Sequence, residues 1–350
     1  MDEGSADRQS GRIALWILCA IGCGFAVYAL RPILIPFAVA VLLLIIVEGV
    51  ADAQRRALPQ WPGWSGRAIG VLLIAAFFVG SLLVITAQAS SVADQVARIV
   101  ARIDALLAIL GKRVGGDSLA VAALLDEGTL RAAISMLLDS AQSLASVSLL
   151  VAIYLGFLLV SRVAVSKRLS MVLTNPQHRA IAIDVTAAVR HGTGEYLWVQ
   201  TATGILIAGV SWVIMAVLGQ DGASLLALVI FLTSYIPVIG PFLGVSIPAI
   251  FALGQFSGWE EVLVLLIGLQ GINFLVNNLL VPRLQSQRLN LDPTVVLLSL
   301  ALWTHLWGIA GALLSTPLAV LAMASASAIP GLRWLAVLMS TDGYPLGRRK

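Results

Sequence analysis

Charge is scarce in this chain. Only 11% of its 350 residues are Asp, Glu, Lys or Arg, against about 25% in an ordinary soluble domain. Hydrophobic residues reach 59%. Histidine is scarcer still, with three in all, and cysteine is limited to Cys19 and Cys23. Those two lie one helical turn apart in the first apolar run and are expected to pack there as small apolar side chains. They make neither a disulfide framework nor a zinc site. A GxxxxGK[ST] phosphate loop is missing, which argues against ATP hydrolysis by this chain. So is a Gly-x-Ser-x-Gly elbow, and no cluster of metal ligands stands out. The chain does not read as an enzyme, and no cofactor or metal is implied. The net charge of +4 sits mostly at the edges of apolar runs, where it reads as an orientation signal for a membrane protein and not as a nucleic-acid footprint.

What the chain has in abundance is apolar length. Runs near 13–30, 36–47, 68–87, 144–160, 197–218 and 262–280 are each long enough, or nearly so, to cross a bilayer, which takes about 20 residues. Two further runs, Ala223–Leu253 and Thr294–Ala324, each hold 31 residues. That is too long for one crossing and too short for two. The first is interrupted by Ile236-Pro237-Val238-Ile239-Gly240-Pro241 and the second near Gly308–Gly311. The expected fold is an all-α polytopic membrane protein with about six full spans and two over-long apolar elements, either re-entrant hairpins or kinked, tilted helices. Broken backbone at membrane depth survives only inside protein or beside a polar cavity. In transporters such elements usually build the substrate site.

Basic residues set the expected sidedness. Loops 48–67 (Arg55, Arg56, Arg67) and 161–195 (Arg162, Lys167, Arg168, Arg179, Arg190) and the tail (Arg333, Arg348, Arg349, Lys350) are placed in the cytoplasm. Both termini are then cytoplasmic, and the N-terminal run is an uncleaved span. Segment 88–143 is placed outside. Its apolar residues Val92, Val96, Ile99, Ile103, Leu106 and Leu110 follow a heptad seam, with a helix break at Gly111, Gly115 and Gly116 and a second amphipathic helix carrying Leu130, Ile134, Leu137 and Ala141 on one face. This outer segment is either a subunit contact or two helices folded on each other or on the membrane surface. If the two over-long elements are hairpins, Arg283 lies inside and Glu260 outside. Two similar units of opposite orientation would then form an inverted repeat with a site at midplane. The expected divisions are 1–87 (first three spans), 88–143 (outer helices), 144–195 (fourth span and basic loop), 196–325 (transport unit) and 326–350 (tail).

Acidic residues stay at element ends: Glu195, Asp221, Glu260, Glu261 and Asp292. The interior polar groups are neutral, which suits a small neutral polyol- or sugar-like solute. Coupled antiporters commonly place Asp or Glu at midplane. Gln270, Asn273 and Asn277 stand at i, i+3 and i+7 on one helix, with Asn278 beside them. They read either as amides that meet substrate or cap broken hairpin ends, or as interhelical hydrogen-bonding glue. His305, between Trp303 and Trp307, is the one titratable group deep within the last five apolar elements. It is either a packed side chain or a proton relay. Gly204 and Ala208 form a small-xxx-small packing surface. The pathway candidates are Gln200, Pro237, Gly240, Pro241, Gln270, Asn273, Asn277, Asn278, His305, Gly308 and Gly311.

Taken in order, Gly194-Glu195-Tyr196-Leu197 with Gln200, Leu218-Gly219, Ile236 to Pro241, Asn277-Asn278 with Val281-Pro282-Arg283, Leu291-Asp292-Pro293, Gly308-Ile309-Ala310-Gly311 and Thr316-Pro317-Leu318 resemble the autoinducer-2 exporter (AI-2E) family of bacterial permease-like proteins. The match in order and spacing runs from about 190 to 325, and the N-terminal half fits in plan. The resemblance implies a transporter of the bacterial inner membrane that exports a small solute such as an autoinducer-2-like signal. It also implies a homo-oligomer, with the lipid bilayer and the solute as its partners. Some relatives are linked to sodium/proton antiport, which is one alternative. A non-transporting membrane scaffold or regulator is the other.

Overall fold

The computed structural model describes residues 18–19, 21–114, 147–161, 171, 175–284 and 290–344. Among them all regular structure is helical: α1 (21–29), α2 (Arg31–Ala57), α3 (Ser65–Val114), α4 (Val147–Ser161), α5 (Pro176–Val217), α6 (Ala223–Thr233), α7 (Ile239–Gln255), α8 (Trp259–Leu275), α9 (Val281–Leu284), α10 (Pro293–Ala328) and α11 (Arg333–Met339). Among the described residues five helices are long and apolar enough to cross a membrane: Arg31–Ala57, Ser65–Gln88, Arg179–Val217, Trp259–Leu284 and Pro293–Ala328. Their outer faces carry large apolar side chains in the open, such as Leu72, Val217, Ile267 and Leu298. A surface of this kind fits acyl chains and not water. The chain is an all-α polytopic membrane protein.

The first two apolar runs, 13–30 and 36–47, are joined through the single residue Leu30, with Leu30 N–H bonded to the Ala26 carbonyl and Leu34 N–H to that of Leu30. No loop parts them. Cys19 and Cys23 are exposed on this first helix and not packed inside. Helix α2 ends on Arg55 and Arg56, a placement the helix dipole favours. It turns back through Trp61 and Trp64, both exposed, as aromatics at a membrane surface are. α3 then packs along α2 with Gly66 and Gly70 against the backbone of Ala51 and Val47. A Cβ at these glycines would stand 2.7 Å and 3.1 Å from the respective Cα atoms. This is the small-residue contact that lets apolar helices approach in a bilayer.

α3 runs unbroken for 50 residues. Gly111 lies within it and does not by itself break the helix. An isolated helical glycine costs only about 1 kcal/mol, too little to stop a helix that started in the membrane. Gly115, Gly116 and the second outer helix lie outside the described residues. An ion-pair cluster ties α2 and α3 to α5: Arg190 reaches Asp52 at 3.0 Å and Glu48 at 3.9 Å, and Arg67 reaches Glu48 at 3.3 Å. α5 itself is 42 residues long.

Both over-long apolar elements fold back on themselves. α6 is 11 residues, about 16 Å, half of what a hydrocarbon core of about 30 Å requires. The chain breaks at Ser234–Val238, and α7 returns beside α6. Their far ends are joined by Gln255, whose Nε2 donates to the Gly219 carbonyl at 2.7 Å while its Oε1 accepts from Asp221 N–H at 2.8 Å. α10 has the length of a span, but Gly308 takes φ 63°, ψ −142° in its middle. Ser299 Oγ donates to the Ser315 carbonyl at 2.8 Å. Residues 16 apart in a straight helix would stand about 24 Å apart, so α10 is also a hairpin, with its bend at Gly308.

The hairpins enter from opposite ends of α5. The base of the first sits at the α5 C-terminus, where Arg98 of α3 meets Asp221 at 3.4 Å and Gln88 Oε1 accepts from Leu225 N–H. In the second, Val320 lies against Gly192 in the N-terminal half of α5. Its base is held to α11 by Asp292 N–H on the Met339 carbonyl, at 2.9 Å. The two meet where Ile236, at the first break, is buried against Leu300 and Ala312 of α10. Glu260 and Arg283 stand at opposite ends of the long α8–α9 helix.

Candidate functional site

The first break leaves backbone carbonyls without helical donors, and α5 supplies them. Tyr196 Oη donates to the Tyr235 carbonyl at 2.8 Å, and Gln200 Nε2 donates to the Ser234 carbonyl. Thr201 Oγ1 and Tyr235 Oη form a further bond at 2.6 Å. Tyr196 and Gln200 are four apart, so one face of α5 presents both. Tyr196 also lies beside Thr316 of the second hairpin. At an apolar depth each such carbonyl left unmade would cost the desolvation of a buried polar group.

The turn itself is tight. Ile239 N–H bonds the Pro237 carbonyl two residues back, at 2.6 Å, which puts Val238 at φ 63°, ψ −53°. This is a γ-turn of the rare, strained hand. Gly240 follows at an ordinary φ. Its need for glycine comes from closeness: a Cβ there would collide with the Thr233 carbonyl oxygen. Gly311 repeats the arrangement in α10, where a Cβ would collide with the Trp303 carbonyl oxygen. Each hairpin thus closes with a glycine pressed on a carbonyl of the preceding arm.

Beside the first break is a small cavity of about 10 Å³, lined by Gln200, Ile207, Ile230, Ser234, Gly240, Pro241, Gly244, Asn273 and Asn277. That is about the room of one water. The structure therefore brings together Gln200, Gly240, Pro241, Asn273 and Asn277 of the candidate residues, with Pro237 at the break. It does not bring the others. Gln270 and Asn278 are exposed on other faces of α8 and its extension, and His305 and Gly308 are exposed on α10. Gly311 is buried in the second bend. Gln270 stands on the same side of the helix as Asn277 but about two turns before it along the axis. The asparagines neither cap the broken ends nor bridge helices. Asn273 Nδ2 donates to the Leu269 carbonyl, Asn277 Nδ2 to that of Asn273, and Asn278 Nδ2 to that of Phe274, each at 3.0 Å and each on their own helix. Gln200 alone caps the first break among the candidates.

The cavity offers amides, a hydroxyl and apolar walls. No side chain lining it is ionisable. Among the described residues no group of His, Cys, Asp and Glu could hold a metal ion. Such a lining can hydrogen-bond a neutral polar molecule and can do neither acid–base nor nucleophilic chemistry. Tyr196 stands in the sequence motif Gly194–Leu197 but not among the pathway candidates, and it is the residue they miss. Its signal was the four-residue spacing to Gln200 on a helix facing the proline-rich break.

Comparison with known proteins places these features in a wider group. The profile of a family described as "AI-2E family transporter" matches residues 14–331. A protein of Escherichia coli (strain K12) described as "AI-2 transport protein TqsA" is 28% identical over 341 residues, 94% of this chain and 94% of that one. A "Putative transport protein" of Haemophilus influenzae is 32% identical over 168 residues, 46% of this chain and 47% of that one. "Putative transport protein YhhT" of Escherichia coli (strain K12) is 29% identical over 212 residues, 59% of this chain and 57% of that one.

Proposed function

From the premise that this chain belongs to the AI-2E transporter family, we propose that it exports a small neutral polar solute of the autoinducer-2 kind. The chain is a multi-pass membrane transporter of the bacterial inner membrane. The observation that carries the finer reading is the uncharged cavity at the tip of the first hairpin, next to where that hairpin meets the second. Gln200, Asn273 and Asn277 would hydrogen-bond the solute, and Ser234 and the backbone at Gly240–Pro241 would shape its pocket. The cavity has room for about one water, so this conformation is the closed one, and the solute enters when the first hairpin moves away from α5 and α8. Hairpins entering from opposite ends of α5 give each side of the membrane its own re-entrant element, of which the first is the movable one.

The absence of any ionisable cavity residue weighs against the antiporter alternative, which calls for an acid at the site. Orientation with both termini cytoplasmic, and assembly as a homo-oligomer, belong to this same reading. The test is uptake of labelled autoinducer-2 into everted vesicles, with and without imposed sodium and proton gradients. Saturable uptake by the wild-type chain supports export. Sodium-driven proton movement without solute uptake would replace this reading with the antiporter, and neither activity with the scaffold.

A further inference from the structure

Thr316, in the second arm of α10, is 2% exposed, and its Oγ1 is buried without a hydrogen-bond partner. A hydroxyl left unmet away from water is costly. A helical threonine ordinarily donates to the carbonyl four residues back, as Thr201, Thr203 and Thr304 do in this chain. For Thr316 that acceptor is the Ala312 carbonyl, and Ser315 Oγ already donates to it at 2.8 Å. Beside Thr316 stands Tyr196 of α5, also buried. The single hydroxyl proton of Tyr196 is committed to the Tyr235 carbonyl of the first hairpin. Tyr196 thus lies between a carbonyl that it serves and a hydroxyl that nothing serves. The contact between α5 and α10 does not depend on the first hairpin. Val320, one turn beyond Thr316, lies against Gly192, one turn before Tyr196.

We propose that Tyr196 is a two-position switch for the first hairpin, holding the Tyr235 carbonyl when the hairpin is closed and pairing with Thr316 when it leaves. Both are positioning residues and neither touches the solute. Opening removes the Tyr235 carbonyl from Tyr196 and turns that carbonyl towards the space that solute and water enter. Tyr196 then needs a new partner in surroundings without water, and Thr316 is the hydroxyl within its reach. One hydrogen bond is exchanged for another, and the hydroxyl that was unmet in the closed state becomes paired. Closed and open states are thereby brought near in free energy, as a gate that works in both directions requires. This switch rests on the proposed movement of the first hairpin away from α5. It does not depend on which solute is carried.

The test uses full-length chain with Cys19 and Cys23 replaced by serine, reconstituted in liposomes. Ile207→Cys places a thiol on the buried cavity wall. Its rate of alkylation by N-ethylmaleimide reports the fraction of time the cavity is open. In a second set without that cysteine, uptake of labelled autoinducer-2 reports apparent KM, which rises as the open fraction falls. Thr316→Val keeps the shape and removes the hydroxyl. It relieves the closed state of its unmet group and strands Tyr196 in the open one. Alkylation should slow about tenfold and KM should rise about tenfold, with yield and melting temperature retained. Thr316→Ser should leave both near the wild-type values. Adding Tyr196→Phe to Thr316→Val should restore both, because opening then strands no hydroxyl. An unchanged alkylation rate in Thr316→Val overturns the switch. So does a double variant as slow as Thr316→Val alone, since Thr316 would then act by packing. If the wild-type chain moves no autoinducer-2, the transport reading falls, while the alkylation rates still decide the switch.

Discussion

The two hairpins reach the same shape by different means. The first breaks over several residues, with prolines at 237 and 241 and a strained Val238, and it relies on another helix to complete its hydrogen bonds through Tyr196 and Gln200. The second breaks at the single residue Gly308 and completes itself, Ser299 donating to the Ser315 carbonyl across the bend. It is also pinned at its tip, where Trp307 Nε1 donates to the Val27 carbonyl at 3.1 Å, and at its base by α11. A hairpin whose unmet groups are served by a neighbour can be released by that neighbour. One that serves itself moves, if at all, as a block. On the proposed transport reading, the difference makes the first hairpin the gate and the second its stop.

The largest test of this contrast is a side chain where neither hairpin has room. Gly240→Leu and Gly311→Leu each force a Cβ onto a carbonyl oxygen, and overpacking of this kind costs about 1–3 kcal/mol or more. We expect Gly240→Leu to insert normally and lose transport to background. We expect Gly311→Leu, in the more rigid bend, to lose folded protein as well. Detergent-extracted monodisperse protein and vesicle uptake read the two. Equal yields would remove the distinction between gate and stop.

Opposite entry is tested by an all-or-none measurement. In a cysteine-free background, Ser257→Cys should react with an impermeant thiol reagent added from outside, and Arg283→Cys should not. The reverse pattern would invert the whole assignment. Equal labelling of both would be incompatible with the α8–α9 helix crossing between them.

Smaller effects separate solute binding from capping. Asn277→Leu should weaken apparent affinity by about 1–3 kcal/mol, the cost of leaving a polar partner unmet, with little change in melting temperature. Gln200→Leu should lower the melting temperature as well, because it strips the Ser234 carbonyl of its donor. The smallest change is expected from Ser299→Ala, a loss of about 0.5–1.5 kcal/mol of stability with uptake affinity unaltered. A larger effect of Ser299→Ala on affinity than on stability would place the solute between the hairpins and not within the first.

Much of this architecture was legible in the order of residues, because proline and glycine act locally. Two 31-residue apolar runs with breaks in their middles could be seen without coordinates, and so could the neutrality of the polar groups between them. What could not be seen was direction. Gln270 and Asn278 share a helix with Asn273 and Asn277 yet are exposed, because which part of a helix is covered depends on its neighbours in the fold and not on the helical wheel. Gly111 looked like a terminator and is not one, since a long helix absorbs the small cost of one glycine. Gly66 and Gly70 show the reverse: their four-residue spacing was available as a packing signal, but its partner on α2 emerges only from the fold.

The length of α3 has a mechanical consequence. Its membrane portion ends near Gln88, and it continues as one rod to Val114, about 39 Å further at 1.5 Å per residue. Arg98, part-way along that extension, rests on Asp221 at the base of the first hairpin. A stiff rod touching the molecule at an intermediate point is a lever with a fulcrum. A sideways push on the helix beyond Arg98 is delivered, reversed in direction and multiplied, to whatever lies on the short side. That short side runs down past the start of α6, where Gln88 caps Leu225.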